Sequence, residues 1–191
     1  MAITISELAE LARQAGLNLK VVPEDNLVVG NWSTERFRDA EGDSGIVIFV
    51  ILGEDGEFIS FVAPSIYSLK GCEHRAAAIE AMTRVAYVTP YVGYELDPEE
   101  DRVRATIEFP LETGTLTSEQ LKLSTGMLAA IVHHFDPVIR HAMTAGEVDL
   151  SLAEQDPPAE RDELEELVAK LGGIEKLREL AAARSGTQAS G

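Results

Sequence analysis

Residues Ile46-Val47-Ile48-Phe49-Val50-Ile51-Leu52 are seven apolar side chains without a break. The turn Gly53-Glu54-Asp55-Gly56 follows, and then Phe58-Ile59-Ser60-Phe61-Val62-Ala63. Two apolar, β-branched runs around a glycine-bounded turn predict a hairpin over about 45–63, with Pro64 ending it. Successive side chains of a strand point to opposite faces, so a strand with one wet face alternates apolar and polar residues. The first strand does not alternate, and both its faces require cover. In a chain of this size the second cover comes from its own helices, a second subunit or a bound partner.

A second hairpin reads differently. Residues 91–96 are joined by Asp97-Pro98-Glu99-Glu100-Asp101 to residues 102–111. In that last strand Val103, Ala105, Ile107, Phe109 and Leu111 share one face, and Arg102, Arg104, Thr106 and Glu108 share the other. It has one buried and one wet face.

Working outward, Thr4-x-x-Glu7 reads as a capping box ahead of Leu8, Leu11 and Ala12 at helical spacing, and Gly16 as the helix stop. The segment 17–32 holds a short strand or two, and 33–44 is polar and turn-rich. Residues 74–87 read as a helix with an unusually small apolar face, built on Ala76, Ala77, Ala78 and Ala81. Thr117-x-x-Gln120 is a second capping box. The long helix after it carries Leu121, Leu128, Ile131, Phe135, Val138 and Ala142 on one stripe, widened by Met127, Val132 and Ile139. Pro137 is expected to kink or divide this helix, and Gly146 to end it. The order is α+β, with a largely antiparallel sheet and helices packed on it. The domain spans 1–146. An acidic linker at 147–162, an amphipathic helical tail at 163–184 and a disordered end at 185–191 follow.

The chain has 191 residues, 45% hydrophobic and 26% charged, the profile of a soluble protein with a real core. Its net charge of -17 argues against binding nucleic acid or anionic membrane by charge, and fits solubility, suppressed self-association or a basic partner. The lone cysteine, Cys72, forms no internal disulfide and fits a reducing compartment. The first residues lack a basic n-region and a long apolar stretch, and no apolar run approaches the ~20 residues of a membrane helix. The expected location is cytoplasmic.

Four groupings could carry chemistry. Gly42-Asp43-Ser44-Gly45 matches the nucleophile tetrapeptide of chymotrypsin-like proteases, but His74, His133, His134 and His141 all follow Ser44, the reverse of that family's order, and a polar turn explains it. His133, His134, Asp136 and His141 have ligand character. Yet Pro137 and Val138 stand at the i+4 positions of the first two histidines, and His134 lies roughly 10 Å along an ideal helix from His141. Asp136 and Arg140 fit an i,i+4 pair on a polar face instead. Cys72 and His74, two apart, face away from each other on a helix. The carboxylates Glu95, Asp97, Glu99, Glu100 and Asp101 crowd a turn without the spacing of a calcium loop. No phosphate loop, dinucleotide fingerprint or C-x-x-C pair is present. The expectation is no catalytic residue, no metal site and no cofactor.

The run Tyr94-Glu95-Leu96-Asp97-Pro98-Glu99-Glu100-Asp101-Arg102-Val103-Arg104 resembles the YbjN-like family, described as bacterial sensory transduction regulators. Pro110-Leu111-Glu112, Leu116-Thr117-Ser118-Glu119-Gln120-Leu121 and the first hairpin are similar as well. The resemblance covers roughly residues 4–145. It implies the fold of type III secretion chaperones, in the order α-βββ-α-ββ-α and often dimeric, whose members bind extended segments of client proteins. It supplies no catalytic residues to carry over, and it does not reach the acidic tail.

The function expected from these readings is a non-enzymatic peptide- or protein-binding chaperone or adaptor, a homodimer acting on a protein client. Binding would use Ile46, Ile48, Val50, Phe58, Ser60 and Val62, or the opposite set Val47, Phe49, Ile51, Ile59 and Phe61; one set faces the core. The alternative is a regulatory interaction protein whose helices at 163–180 dock on a partner or on the chain's own groove. A hydrolase or metal-dependent enzyme is the third reading.

Overall fold

The hairpin register is set by its turn. In the computed structural model, which describes residues 2–34, 36–89, 91–111 and 115–155, β3 (Ile46–Gly53) pairs antiparallel with β4 (Phe58–Ser68), Phe49 opposite Val62 and Ile51 opposite Ser60. Glu54 and Asp55 take left-handed backbone angles in the tight turn between them, at φ 49° and 55°. The two closing residues, Gly53 and Phe58, enclose four others. Odd positions of β3 therefore share a face with even positions of β4.

The described strands form one antiparallel sheet in the order β1-β2-β3-β4-β6-β5, with β1 (Lys20–Val22), β2 (Leu27–Trp32), β5 (Gly93–Leu96) and β6 (Arg102–Pro110). Helices α1 (Ile5–Gln14), α2 (Arg75–Val88) and α3 (Ser118–Ala145) are joined to it in the order α1, β1–β4, α2, β5–β6, α3. The α+β expectation holds, with four strands before α2 where three were expected. The fourth is β1, only three residues long.

All three helices cover one face. α1 and α2 both pack on α3, and α3 lies across β3, β4 and β6. The core between the layers holds Ile46, Ile48, Val50 and Leu52 of β3, Ile59 and Phe61 of β4, and Val103, Ala105 and Ile107 of β6, with Leu8, Leu121, Leu128 and Ile139 from the helices. Removing these apolar surfaces from water, at ~25 cal/mol per Å², is the main force holding the layers together.

Both capping boxes form. Thr4 Oγ1 accepts from the Glu7 N–H at 3.3 Å while Glu7 Oε2 accepts from the Thr4 N–H at 2.8 Å, and Thr117 and Gln120 do the same. Gly16 and Gly146 take the left-handed angles that stop α1 and α3.

Three local expectations are refined. The β3–β4 ladder ends at Val62, just before Pro64, but β4 itself runs on to Ser68 against β6. The register shifts between Ala63 and Tyr67, and an irregular stretch needs no ladder donor from proline. Pro137 does not divide α3, which is one helix of 28 residues. The segment 33–44 is polar but carries Phe37, a fully buried core residue. The described chain up to Glu154 is one compact unit. The expected linker after 155, the helical tail at 163–184 and the end at 185–191 lie outside the described residues.

Candidate functional site

The sheet face turned away from the helices is the first candidate. Pairing brings Leu27 and Val29 of β2, Val47, Phe49 and Ile51 of β3, and Phe58, Ser60 and Val62 of β4 onto it. Val47 is 38% exposed; Leu27, Val29, Phe49, Ile51 and Phe58 are half-buried; Val62 is buried. No described helix lies on this face. It is an apolar surface about three strands wide, larger than singly scattered surface hydrophobics.

This placement corrects both sets expected from the sequence. Ile46, Ile48 and Val50 lie in the core, at most 1% exposed, and are not available to a partner. Phe58, Ser60 and Val62, grouped with them, lie on the opposite face with Phe49. Ile59 and Phe61, grouped with Phe49, belong to the core. Leu27 and Val29 join the outer face without having been singled out, because β2 gave no sign of which neighbour it would pair with.

Across β6 and β5 the same face is ionic. Arg104 Nη2 meets Glu95 Oε2 at 2.6 Å, the Thr106 hydroxyl donates to Glu95 Oε1 at 3.5 Å, and Arg102 pairs with Glu41. At the end of this hairpin an open groove of about 450 Å³ is lined by Pro64, Ser65 and the acidic turn. Two carboxylates of that turn are engaged. Asp97 Oδ1 accepts from the N–H groups of Glu99 and Glu100 at 2.8 and 3.1 Å, which lowers its pKa, and Asp101 pairs with Arg75 at 2.6 Å.

Two sheet edges are open among the described residues. β1 pairs with only Leu27, Val28 and Val29 of β2, leaving Gly30–Trp32 without a strand on that side. β5 stops opposite Thr106, so Ile107, Glu108, Phe109 and Pro110 extend past it.

A polar cluster sits inside the helix-covered layer. Asp136 is 6% exposed, and the Arg140 Nε donates to both its oxygens at 2.8 and 3.0 Å. The Arg140 guanidinium also donates to the Arg38 carbonyl and lies 5.9 Å from the Phe37 ring centre and 5.5 Å from that of Tyr67. Phe37 meets Tyr67 edge-on at 6.2 Å. The Tyr67 and Tyr94 hydroxyls are buried and make no hydrogen bond of good alignment, though both feel the Asp136 charge. Burial pushes both phenols up, and the carboxylate adds to it. Burial also raises Asp136, more than Arg140 lowers it. The i,i+4 pair expected from the sequence is present, with the Asp136 carboxylate buried and Arg140 reaching it from a half-exposed position rather than both lying on a polar face. Arg140 fastens the segment around Phe37 to α3.

The remaining chemistry-bearing residues are dispersed. His133 Nε2 is 3.5 Å from an Arg36 nitrogen, His134 packs edge-on against Phe135 at 4.7 Å, and His141 lies in the field of Asp149. No group of three or more His, Cys, Asp or Glu among the described residues is placed to hold a metal. Ser44 forms an isolated bridge with Arg38 in the loop before β3. The Cys72 thiol lies 3.5 Å from the Met143 carbonyl, and His74, at the start of α2, lies beside Gly146. No described helix is long and apolar enough to cross a membrane.

The chain matches no family model and no curated protein. Among solved structures it is similar to YbjN of E. coli, described as a candidate transcription regulator, at 12% identity and a TM-score of 0.47, over 71% of this chain and 93% of that one.

Proposed function

We propose that this chain is a non-enzymatic adaptor that binds an extended polypeptide segment on the outer sheet face. One observation carries the reading: Leu27, Val29, Val47, Phe49, Ile51 and Phe58 form an apolar surface with no described helix over it. The open edges at Gly30–Trp32 and at residues 107–110 offer main-chain groups beside it. A peptide added as a strand gains backbone hydrogen bonds there and presents alternate side chains to the apolar face. The ionic β6–β5 half favours clients with charged residues beyond an apolar stretch. A cytoplasmic location belongs to the same reading. The regulatory alternative, in which residues 163–180 dock, rests on residues outside those described.

The test is a peptide array probed with the purified protein, followed by fluorescence anisotropy on the selected peptides. Peptides with apolar residues at alternate positions should bind the wild type and lose affinity about tenfold or more with Phe49→Asp. Equal binding by wild type and a folded Phe49→Asp protein would overturn the proposal.

A further inference from the structure

The loop that joins β2 to β3 passes round the end of the sheet. Phe37 lies in the helix-covered layer, fully buried, and Arg140 donates to the Arg38 carbonyl beside it. Further along, Glu41 pairs with Arg102 on the outer face. Phe37 and Arg140 fix the inner end of this loop. Its tip, residues 39–43, is built differently. Arg38 and Ser44 form a bridge at its base. Asp39 Oδ1 accepts from the N–H groups of Glu41 and Asp43, both at 2.9 Å, and the Asp39 N–H donates to the Asp43 carbonyl at 3.0 Å. The tip is therefore a small body with its own internal bonds, free to swing as one piece about its base. Gly42 and Gly45 supply its left-handed turns, at φ 91° and 99°. A side chain at Gly42 would meet nothing within 4 Å, so the tip stands out in solvent.

Two contacts tie this tip to the sheet, and both lie at the groove beside Pro64. The Ala40 N–H donates to the Ser65 carbonyl at 3.0 Å, and Glu41 meets Arg102. Ser65 and Arg102 both line the groove. Neither contact is strong. An ion pair whose partners are 48% and 33% exposed gains little over two solvated charges. Ser65 holds a left-handed backbone angle, φ 49°, which a residue with a Cβ adopts at a cost, and the Ala40 bond helps to keep it there. A self-contained tip, weakly held over strained backbone, is built to lift while the inner end stays in place.

What the tip covers is a cation. Lifting it takes Glu41 off Arg102 and leaves the guanidinium at the mouth of a groove of about 450 Å³, walled in part by Pro64, Leu96 and Val103. The chemistry that replaces Glu41 there is another carboxylate. A chain of net charge -17 repels an acidic ligand at a distance. The exchange at Arg102 nonetheless leaves the local charge unchanged, because one carboxylate leaves as another arrives. The apolar walls suit the neighbouring side chains of a polypeptide segment.

We propose that residues 39–43 are a latch that competes with a ligand: Glu41 occupies Arg102 until the carboxylate side chain of a polypeptide segment in the groove takes its place. The latch does not use Phe49 or the apolar outer face, so it and the proposed client face can fail separately.

The test is nuclear magnetic resonance on the full-length protein. Hydrogen exchange at the Ala40 amide reports the tip, and the Arg102 Nε–H signal reports the site. Glu41→Gln and Arg102→Gln should each speed Ala40 exchange about two- to fivefold and leave the Phe61 amide unchanged. The capped peptide acetyl-Val-Glu-Val-amide should shift the Arg102 signal, and its glutamine counterpart should not. The Glu41→Gln protein should bind the glutamate peptide about threefold more tightly or better, since no competitor remains, and Arg102→Gln should lose it. Propionate, the carboxylate without the chain, should bind more weakly than the peptide. Repeating the series in a Phe49→Asp background should change none of these results. Ala40 exchange indifferent to both substitutions overturns the proposal. So does equal binding of the two peptides, unchanged affinity in Glu41→Gln, or propionate binding as tightly as the peptide.

Discussion

The two halves of the sheet share one core face and differ on the other. In β2, β3 and β4 the outer face is apolar, from Leu27 and Val29 through Val47, Phe49 and Ile51 to Phe58. In β6 and β5 it holds Glu95, Arg102, Arg104, Thr106 and Glu108. The inner faces of both halves are alike: Ile48, Val50 and Phe61 on one side, Val103, Ala105 and Ile107 on the other, all buried. Stability explains the inner face in both halves. It explains the outer face only in the second, where exposed charge keeps a free surface soluble. An apolar outer face confined to one half is where binding is to be sought.

The largest effect separates the two faces of a single hairpin. Phe61→Ala removes a fully buried ring from the core and should cost about 3–5 kcal/mol in urea unfolding. Phe49→Ala, in the adjacent strand but on the outer face, should cost about 1 kcal/mol or less while abolishing peptide binding. Equal destabilisation by the two would mean that the outer face is packed as a core, and the contrast between the halves would be lost.

The next effect concerns the buried carboxylate of Asp136. Burial holds the Asp136 pKa above its unfolded value of about 4. A carboxyl shifted that way contributes stability that is fully present below the unfolded pKa and is lost as pH rises through the folded one. The stability gap between wild type and Asp136→Asn should therefore move in favour of the variant as pH climbs out of the acid range. Paired urea titrations at successive pH values measure it. A gap moving the other way would show that Arg140 outweighs desolvation and lowers the carboxyl.

Much of this was legible in the sequence. Unbroken apolarity in 46–52 and alternation in 102–111 give the two kinds of strand, and the caps at Thr4 and Thr117 mark two helix starts. The register was not legible. A turn enclosing four residues makes odd positions of β3 share a face with even positions of β4, and sequence periodicity carries no information about that parity. A charge in a helix is usually solvated, so the sequence alone puts Asp136 on a polar face. It sits beside Tyr67, 69 positions away, and its partner Arg140 lies against the rings of Phe37 and Tyr67, which no local pattern connects to it. Pro64 reads as a stop because proline has no N–H to give a ladder, and the shift in register before Tyr67 removes that constraint.

The smallest effect tests the second half. Arg104 and Glu95 sit across a strand pair on its outer face, more than two-fifths exposed on both sides. An exposed pair of this kind gains little from Coulomb attraction in water and gives up side-chain freedom to form. Arg104→Ala should therefore change stability by less than about 0.5 kcal/mol, and added salt should erase what difference there is. It should leave the affinity for a purely apolar peptide unchanged and weaken peptides with an acidic residue beyond the apolar stretch. Calorimetric titration of two peptides that differ only in that residue separates the outcomes. Loss of both would place the client across the ionic half as well, and the binding face would then extend over the full width of the sheet.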